Sequence, residues 1–322
     1  MSRPSARVGV ISNPSSGHNR DHFASVETAL ACCPGVVQHA VTDCPAAIYG
    51  ALDRLATSHV DTLVINGGDG TVAAVLGAML EGGAFLQQPA VIILPAGTAN
   101  MTAGDVGVRG RLRSAVSRLC RWATAPVAEQ ISCERVQRNI LRLDMDGAIH
   151  HGMFLGAGAI IGGTEFAHRA IHARGVRDDT SLALSTLRTV WGVMRQDPAF
   201  CTPTRVSIRS DDAEEQNHDA LILALSTLQR LSFGMRPFWG EGEGPLRLTV
   251  VDHGCRSFLP NFVSIIRGRP GPGARPDRGY HSTNARALQI DMEGPINLDG
   301  ELLTTTGSLV VTATAPVTFL RL

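Results

Sequence analysis

Lysine is absent from all 322 residues, so the 29 basic side chains are all arginine. That gap excludes several chemistries at once. A Walker-A loop holds phosphate partly through a lysine ammonium, a protein kinase uses a strand lysine, and Schiff-base enzymes need a lysine amine. Any phosphate chemistry here must rest on backbone amides, arginine or a metal ion. Excess charge is missing too: 29 acidic residues balance the arginines, which argues against a nucleic-acid surface spread over the whole protein. No apolar run approaches the roughly 18 residues that span a bilayer. Met1–Arg7 is polar and leads directly into Val8-Gly9-Val10-Ile11, too short a stretch for a signal-peptide core. The seven cysteines (Cys32, Cys33, Cys44, Cys120, Cys133, Cys201 and Cys255) are odd in number and lack paired metal-ligand spacing, so they read as thiols in a reducing compartment. The expectation is a soluble, cytoplasmic protein with no transmembrane segment and no nucleic-acid partner, whose membrane contact is at most peripheral.

With 44% hydrophobic and 18% charged residues, the chain is globular and long enough for two domains. Its first third alternates short apolar runs with amphipathic segments. Val8–Ser12, Val36–Ala40, Thr62–Asn66 and Ala90–Leu94 read as buried parallel strands, and Asp21–Ala31, Pro45–Ala56, Val72–Leu80 and Leu112–Trp122 have helical spacing. Such alternation predicts a layered α/β domain whose ligands bind at the C-terminal ends of the strands. The pattern changes near Ala123–Ile131, which places a boundary between residues 1–126 and 127–322. Beyond it, Asn139–Leu143, Thr204–Ile208, Ala220–Leu225, Leu246–Val251, Leu288–Asp291 and Leu309–Ala313 favour strands, separated by turn signals such as Asp146-Gly147 and Asp211-Asp212. A mainly antiparallel β-sandwich domain is expected, with helices at Glu165–Ala173 and Leu182–Arg195 and an irregular Gly/Pro loop over Arg267–Arg278. The C-terminal segment packing back on the first domain stays open.

Gly67-Gly68-Asp69-Gly70-Thr71 lies between an apolar strand and a helical pattern. Glycines at such a corner let backbone amides close around phosphate oxygens, and the helix start adds a favourable dipole. An acid inside an anion-binding turn is out of place unless it meets a metal ion or a proton. Asn13-Pro14-Ser15-Ser16-Gly17 and Pro95-Ala96-Gly97-Thr98-Ala99-Asn100 follow two other strands and should meet this turn at one sheet edge.

These three motifs, with Asn297-Leu298-Asp299-Gly300-Glu301, occur in the order found in the diacylglycerol kinase catalytic-domain family, which the chain resembles and which includes sphingosine kinases and bacterial lipid kinases. The resemblance implies an N-terminal α/β ATP-binding domain, a C-terminal β-sandwich for the lipid, and an active site in the cleft between them. It implies that Asn13 and Gly17 shape the nucleotide pocket with Thr42 nearby, that Gly67, Gly68, Asp69, Gly70, Thr71 and Val72 surround the phosphates, and that Thr98 contacts the nucleotide. Asn13-Pro14 as a simple turn, Thr42 as the cap of the helix near Pro45, and Thr98–Asn100 as a helix cap are the structural alternatives. Phosphorylating an alcohol requires removal of its proton, and the resemblance assigns that to Asp299 and Glu301, with Glu301 favoured as base and Asp299 orienting it or helping to hold metal. In isolation Asp299-Gly300 reads as a hairpin turn. Asp69 is expected to meet magnesium directly or through water, with base action as its second reading, and Arg20 could assist.

Two positions depart from the family pattern. Asn100 is followed by Met101 where many members carry aspartate, and the next acid is Asp105. Glu241-Gly242-Glu243-Gly244 stands where bacterial relatives often have a second-domain metal site, so Glu243 is a candidate magnesium ligand beside the alternative of an exposed acidic turn. For the acceptor, Phe233, Met235, Phe238 and Trp239 among Arg230 and Arg236 fit either a lipid-touching surface or a core strand, and Leu182–Met194 fits a groove wall or a core helix. His150-His151 and the pair His168 and His172 read as surface histidines. The expected activity is ATP- and magnesium-dependent phosphorylation of a lipid hydroxyl at a membrane surface, most plausibly of diacylglycerol or a related glycerolipid. Sphingoid-base kinase, NAD kinase and a lipid-binding regulatory protein without turnover are the alternatives, and a homodimeric state is left open.

Overall fold

The computed structural model describes residues 6–174, 192, 197, 203–211 and 213–322, with the side chains of 167–174 left out. Two compact units emerge, one of Met1–Arg138 with Pro316–Leu322 and one of Asn139–Ala315. The boundary therefore falls at Arg138, not residue 126, and the first unit takes back a C-terminal strand.

In the first unit the chain runs through β1 (Val8–Ser12), α1 (Asn19–Ala31), β2 (Val36–Val41), α2 (Ala46–Thr57), β3 (Thr62–Gly67), α3 (Asp69–Glu81), β4 (Ala90–Pro95), α4 (Met101–Val106), α5 (Leu112–Ala123), α6 (Val127–Ile131) and β5 (Glu134–Arg138). Strands are numbered along the whole chain, so the returning strand Val317–Arg321 is β15. The six-stranded sheet has the order β2-β1-β3-β4-β15-β5. Strands β1 to β4 are parallel, β15 meets β4 in parallel at Phe319 and Val91, and β5 lies antiparallel to β15. Every residue of β1 and β3 is buried, as expected for parallel strands covered on both faces by helices. Val10, Val64, Ile92 and Leu94 pack in one core with Leu30 of α1 and Leu112, Val116 and Leu119 of α5.

The second unit contains β6 (Leu141–Met145), β7 (Ala148–Gly152), β8 (Phe154–Gly158), α7 (Ala159–Arg174), β9 (Thr204–Ser210), β10 (Gln216–Ser226), β11 (Leu246–Asp252), α8 (Phe258–Ile266), β12 (Tyr280–Ala285), β13 (Ala287–Leu298) and β14 (Glu301–Ala313). Its strands pair antiparallel in a nine-stranded sheet, β12-β11-β10-β8-β13-β14-β6-β7, with β9 pairing both β10 and β13. Hydrogen bonds join all nine strands into one continuous antiparallel system, because the long strands β10 and β13 each carry both β8 and β9 at different points along their length. Asp146-Gly147 turns β6 into β7 with φ of 52° and 78°, the left-handed pair that a two-residue hairpin needs. Between Arg267 and Arg278 the only regular piece is a short 3₁₀ turn at Pro276–Arg278. The helix expected over Leu182–Arg195 lies, residue 192 apart, outside the described residues. Among the described residues no helix is long and apolar enough to cross a membrane.

Candidate active site

Parallel β1, β3 and β4 end side by side, which brings the loops after Ser12, Gly67 and Pro95 to one edge of the sheet. Side chains then join these loops. Asn13 Nδ2 donates to Thr71 Oγ1 at 3.0 Å, and its Oδ1 accepts the Ser15 amide at 2.8 Å, so Asn13 both closes its own turn and reaches the second loop. The Gly68 amide donates to Ser16 Oγ at 3.1 Å. His18 Nδ1 lies 2.6 Å from the Gly97 carbonyl oxygen, linking the first loop to the third. The backbones also touch: a Cβ on Gly97 would sit 2.6 Å from the Cα of Gly68, and one on Gly17 would sit 2.8 Å from Thr98 Oγ1. Small residues are therefore a packing requirement where these loops meet.

Asp69 opens α3 and is buried. Its Oδ2 accepts the Met101 amide at 3.0 Å and its Oδ1 the Thr102 amide at 2.9 Å. Those amides belong to the first turn of α4, where a helix supplies no acceptor of its own. The residue at the N-cap position of α4, Asn100, is left-handed at φ 47° and makes no side-chain cap bond to the helix; its amide and carbonyl groups instead bond Gly97 at 2.8 Å each. Asp69 therefore caps α4 from another loop. Burial pushes its carboxyl above the ordinary carboxylate range, opposed by the Thr102 and Met101 amides.

This arrangement leaves the start of α3 itself open. Gly70 is exposed, with nothing within 4 Å of where a Cβ would stand. Gly70 and Thr71 lie in the first turn of a 13-residue helix, whose amides need an outside acceptor and whose dipole favours an anion. Val72, buried, donates its amide to the Gly68 carbonyl oxygen and begins the helical ladder. Gly67 ends β3, where a Cβ would stand 2.5 Å from Thr71 Cβ. Thr42 follows β2 at the same edge, buried, with its amide on the Ser12 carbonyl oxygen; Pro45 rather than Thr42 holds the N-cap position of α2. Arg20 Nε donates to the Ser15 carbonyl oxygen at 2.7 Å, so this arginine braces the first loop.

Beneath the loops lies a polar layer that no motif announces. Asn66 Nδ2 donates to Ser12 Oγ at 2.9 Å, His39 Nε2 lies 2.8 Å from the same hydroxyl, and Asn19 Nδ2 reaches the carbonyl oxygens of Asn13 and Asn66. Burial lowers the His39 pKa against the pull of Glu27. A cavity of about 870 Å³ in this unit opens near Asp61, Thr62 and Ala90, where β3 and β4 begin. It is at the opposite edge from the loops, so volume does not mark the site.

In the second unit Asp299 and Gly300 form the two-residue turn from β13 to β14, with φ of 49° and 94°. The hairpin reading is correct, and the turn holds more than a hairpin requires. Asp299 is buried, and its carboxylate accepts the consecutive amides of Met153 at 2.8 Å and Phe154 at 3.0 Å. Asn297 Oδ1 accepts the Gly300 amide at 3.1 Å, while its Nδ2 donates to Thr164 Oγ1 at 2.9 Å. Glu301, by contrast, is exposed. Charge is thus divided at this corner between an acid fixed by backbone and an acid open to solvent.

Glu243 is 86% exposed in its side chain and pairs with Arg286. Asp105 does not replace the missing acid at Met101: it is buried in an ion pair with Arg138, Nε to Oδ2 2.8 Å, and its carbonyl oxygen accepts from Arg321. Phe233 is exposed and left-handed at φ 57°, whereas Trp239 packs against a cluster containing Val251, Ile265 and Tyr280. The aromatic stretch therefore splits between surface and core. His150 and His151 are half-buried on β7, and the side chains of His168 and His172 lie outside the described residues.

Magnesium takes oxygen ligands in an octahedron and keeps several waters and phosphate oxygens. Asp69 fits such a role as a single oxygen donor, since each of its oxygens accepts one α4 amide and retains a lone pair. Glu243, engaged with Arg286 on the surface, does not fit without giving up that pair.

Residues 7–129, a stretch that contains all three loops, match the diacylglycerol kinase catalytic domain and bear out the resemblance over that stretch. Two solved structures from Bacillus anthracis strain Sterne are similar to the chain over its whole length. One, described as a diacylglycerol kinase, has 16% identity and a TM-score of 0.63 over 99% of this chain and 98% of its own. Another, described as a presumed diacylglycerol kinase, has 16% identity and a TM-score of 0.68 over the same shares, 99% and 98%. At that identity the likeness establishes the fold: an α/β parallel-sheet unit followed by an antiparallel β-rich unit. No curated protein matches the sequence.

Proposed function

We propose that this protein is an ATP- and magnesium-dependent lipid kinase that transfers the γ-phosphoryl group to the hydroxyl of diacylglycerol or a related glycerolipid at a membrane surface. The observation that carries the donor half is the open first turn of α3, framed by three cross-linked loops and free of any side chain at Gly70. With no lysine in the chain, the backbone amides of that first turn are the donors proposed to meet the phosphates there. Bound magnesium supplies neutralisation of the β- and γ-phosphate charge, with Asp69 as its protein donor. Asn13 holds Thr71 and the turn in place, and Gly17, Thr42 and Thr98 shape the rest of the nucleotide pocket. In the transfer the acceptor oxygen bonds to the γ-phosphorus, the bond to the ADP oxygen breaks, and the hydroxyl proton passes to a carboxylate. Glu301 is that base, because Asp299 is committed to two backbone amides and positions the corner.

The test is transfer of label from ATP, with magnesium, to a panel of dispersed lipids and to NAD by the full-length protein. Label in diacylglycerol above sphingoid bases supports the proposal. Label in NAD alone, or nucleotide binding with transfer to no acceptor, overturns it.

A further inference from the structure

Three strands of the second unit bring together side chains that the phosphoryl-transfer reading does not use. His218 on β10, Asp252 at the end of β11 and His281 on β12 lie far apart in sequence. Strand pairing makes them neighbours, since Ala220 pairs with Asp252 and Val250 with His281. His218 Nδ1 is 3.0 Å from Asp252 Oδ1 and His281 Nε2 is 2.8 Å from Asp252 Oδ2, so one carboxylate faces two imidazole nitrogens from strands on either side. One ligand-type atom from each residue lies within 4.8 Å of the other two. The rings meet edge to face at a centroid distance of 4.6 Å.

We propose that His218, Asp252 and His281 form a binding site for a zinc-class divalent cation. The donor set decides the class of ion. Two imidazole nitrogens and one carboxylate oxygen suit zinc and its first-row neighbours, whereas magnesium and calcium prefer oxygen alone. Zinc bonds near 2.0–2.2 Å put tetrahedral ligand atoms about 3.3 Å apart, so shifts of about 1 Å in the two imidazoles close the site. Each neutral ring would move its proton to its other nitrogen and turn a lone pair inward. His218 and His281 also line a cavity of about 440 Å³ whose wall includes Glu214 and Gln216. That opening gives the ion an entry path and room for a fourth, water ligand. The site stands apart from the Asp299 corner. Ser226, at the far end of β10, donates to the Met153 carbonyl oxygen, next to the amides that hold Asp299, and His218 lies eight positions earlier along the same strand, on the order of 25 Å away.

The experiment uses full-length protein stripped with a chelator and titrated with zinc against a chromophoric competitor, and with cobalt read by its visible absorption. His218→Asn and His281→Gln keep an N–H donor for Asp252 while removing the metal-binding nitrogen. One zinc equivalent in the native protein, weakened at least about tenfold in each variant, with four-coordinate cobalt absorption lost in parallel, is the expected result. Absence of binding, or binding unchanged in the variants, as cysteine thiolates would give, overturns the proposal. Should a variant fail to fold by circular dichroism, imidazole proton resonances of the native chain decide: zinc must shift two of its 11 histidines, and a shift of none or of a larger set rejects the site.

Discussion

Asp69 Oδ1 accepts the backbone amide of Thr102 at 2.9 Å, so the acid within the glycine turn serves as the cap of a helix on the neighbouring loop. Replacing Asp69 with alanine leaves the Met101 and Thr102 amides without their acceptor and should cost about 1–3 kcal/mol in urea unfolding, while abolishing transfer to lipid. Asp69→Asn retains one acceptor oxygen and should lose less stability than Asp69→Ala. Equal stability in all three proteins would show that the cap is not what Asp69 contributes.

Gly70 and Gly97 separate the proposed nucleotide contact from loop packing. Gly70 is helical and has open space where a Cβ would stand, so Gly70→Ala should leave stability unchanged or raise it by up to about 1 kcal/mol. The added methyl occupies the space proposed for phosphate, and ATP affinity measured by calorimetry should fall. In Gly97→Ala the new carbon meets the Gly68 backbone at 2.6 Å, and both stability and affinity should drop. Unaltered ATP affinity in Gly70→Ala counts against the phosphate site.

At the second corner the two acids should behave in opposite ways. Asp299→Asn disturbs the bonds to Met153 and Phe154 and should cost about 1–3 kcal/mol. Glu301→Gln alters an exposed side chain, so thermal stability should hold within about 0.5 kcal/mol while kcat falls by about 100-fold or more. A Glu301→Gln enzyme of near-native kcat would remove Glu301 as the base.

Asp105→Ala strands the Arg138 guanidinium, only 10% exposed, without its partner and should destabilise the first unit by about 3–5 kcal/mol. Arg138→Met with Asp105→Leu should recover much of that loss, as read by chemical denaturation.

Burial, with the neighbouring Cys33, pushes the Cys120 thiol up from 9.0 to about 12. Above pH about 9 the unfolded chain gives up this proton while the native chain keeps it, so stability is unaffected below that pH and declines as pH rises toward 12. Cys120→Ser should flatten this decline. In the native protein, alkylation at pH 8 followed by mass mapping should label exposed Cys32 and Cys44 well before Cys120.

The first unit was legible because its strands are buried on both faces and read as unbroken apolar runs: β1 begins and ends where the sequence indicates, at Val8 and Ser12. Its three glycine-containing loops were legible because glycine is costly to place without reason. The tie from Asp69 to α4 was not, since it joins residues more than thirty positions apart through backbone groups that any sequence possesses. One edge strand escaped notice for a different reason. β5, Glu134-Arg135-Val136-Gln137-Arg138, is mostly polar, and pairing with β15 rather than apolar burial makes it a strand. Pro260 disguised α8, yet it occupies the first turn, where the missing amide has no helical acceptor to lose. The His218, Asp252 and His281 group has no spacing signature at all, because sheet register alone assembles it.

The place of β15 has a consequence for synthesis. Until residues 317–321 leave the ribosome, β4 has no partner on its outer side and β5 has none in its sheet, whereas every strand of the second unit has already been made. The later-encoded unit can thus complete its folding first, while the sheet of the first unit waits with the open edge of Val91-Ile92-Ile93-Leu94 exposed to other nascent chains. A ribosome that stalls or terminates shortly before Val317 would release a product with a finished second unit and an adhesive first one.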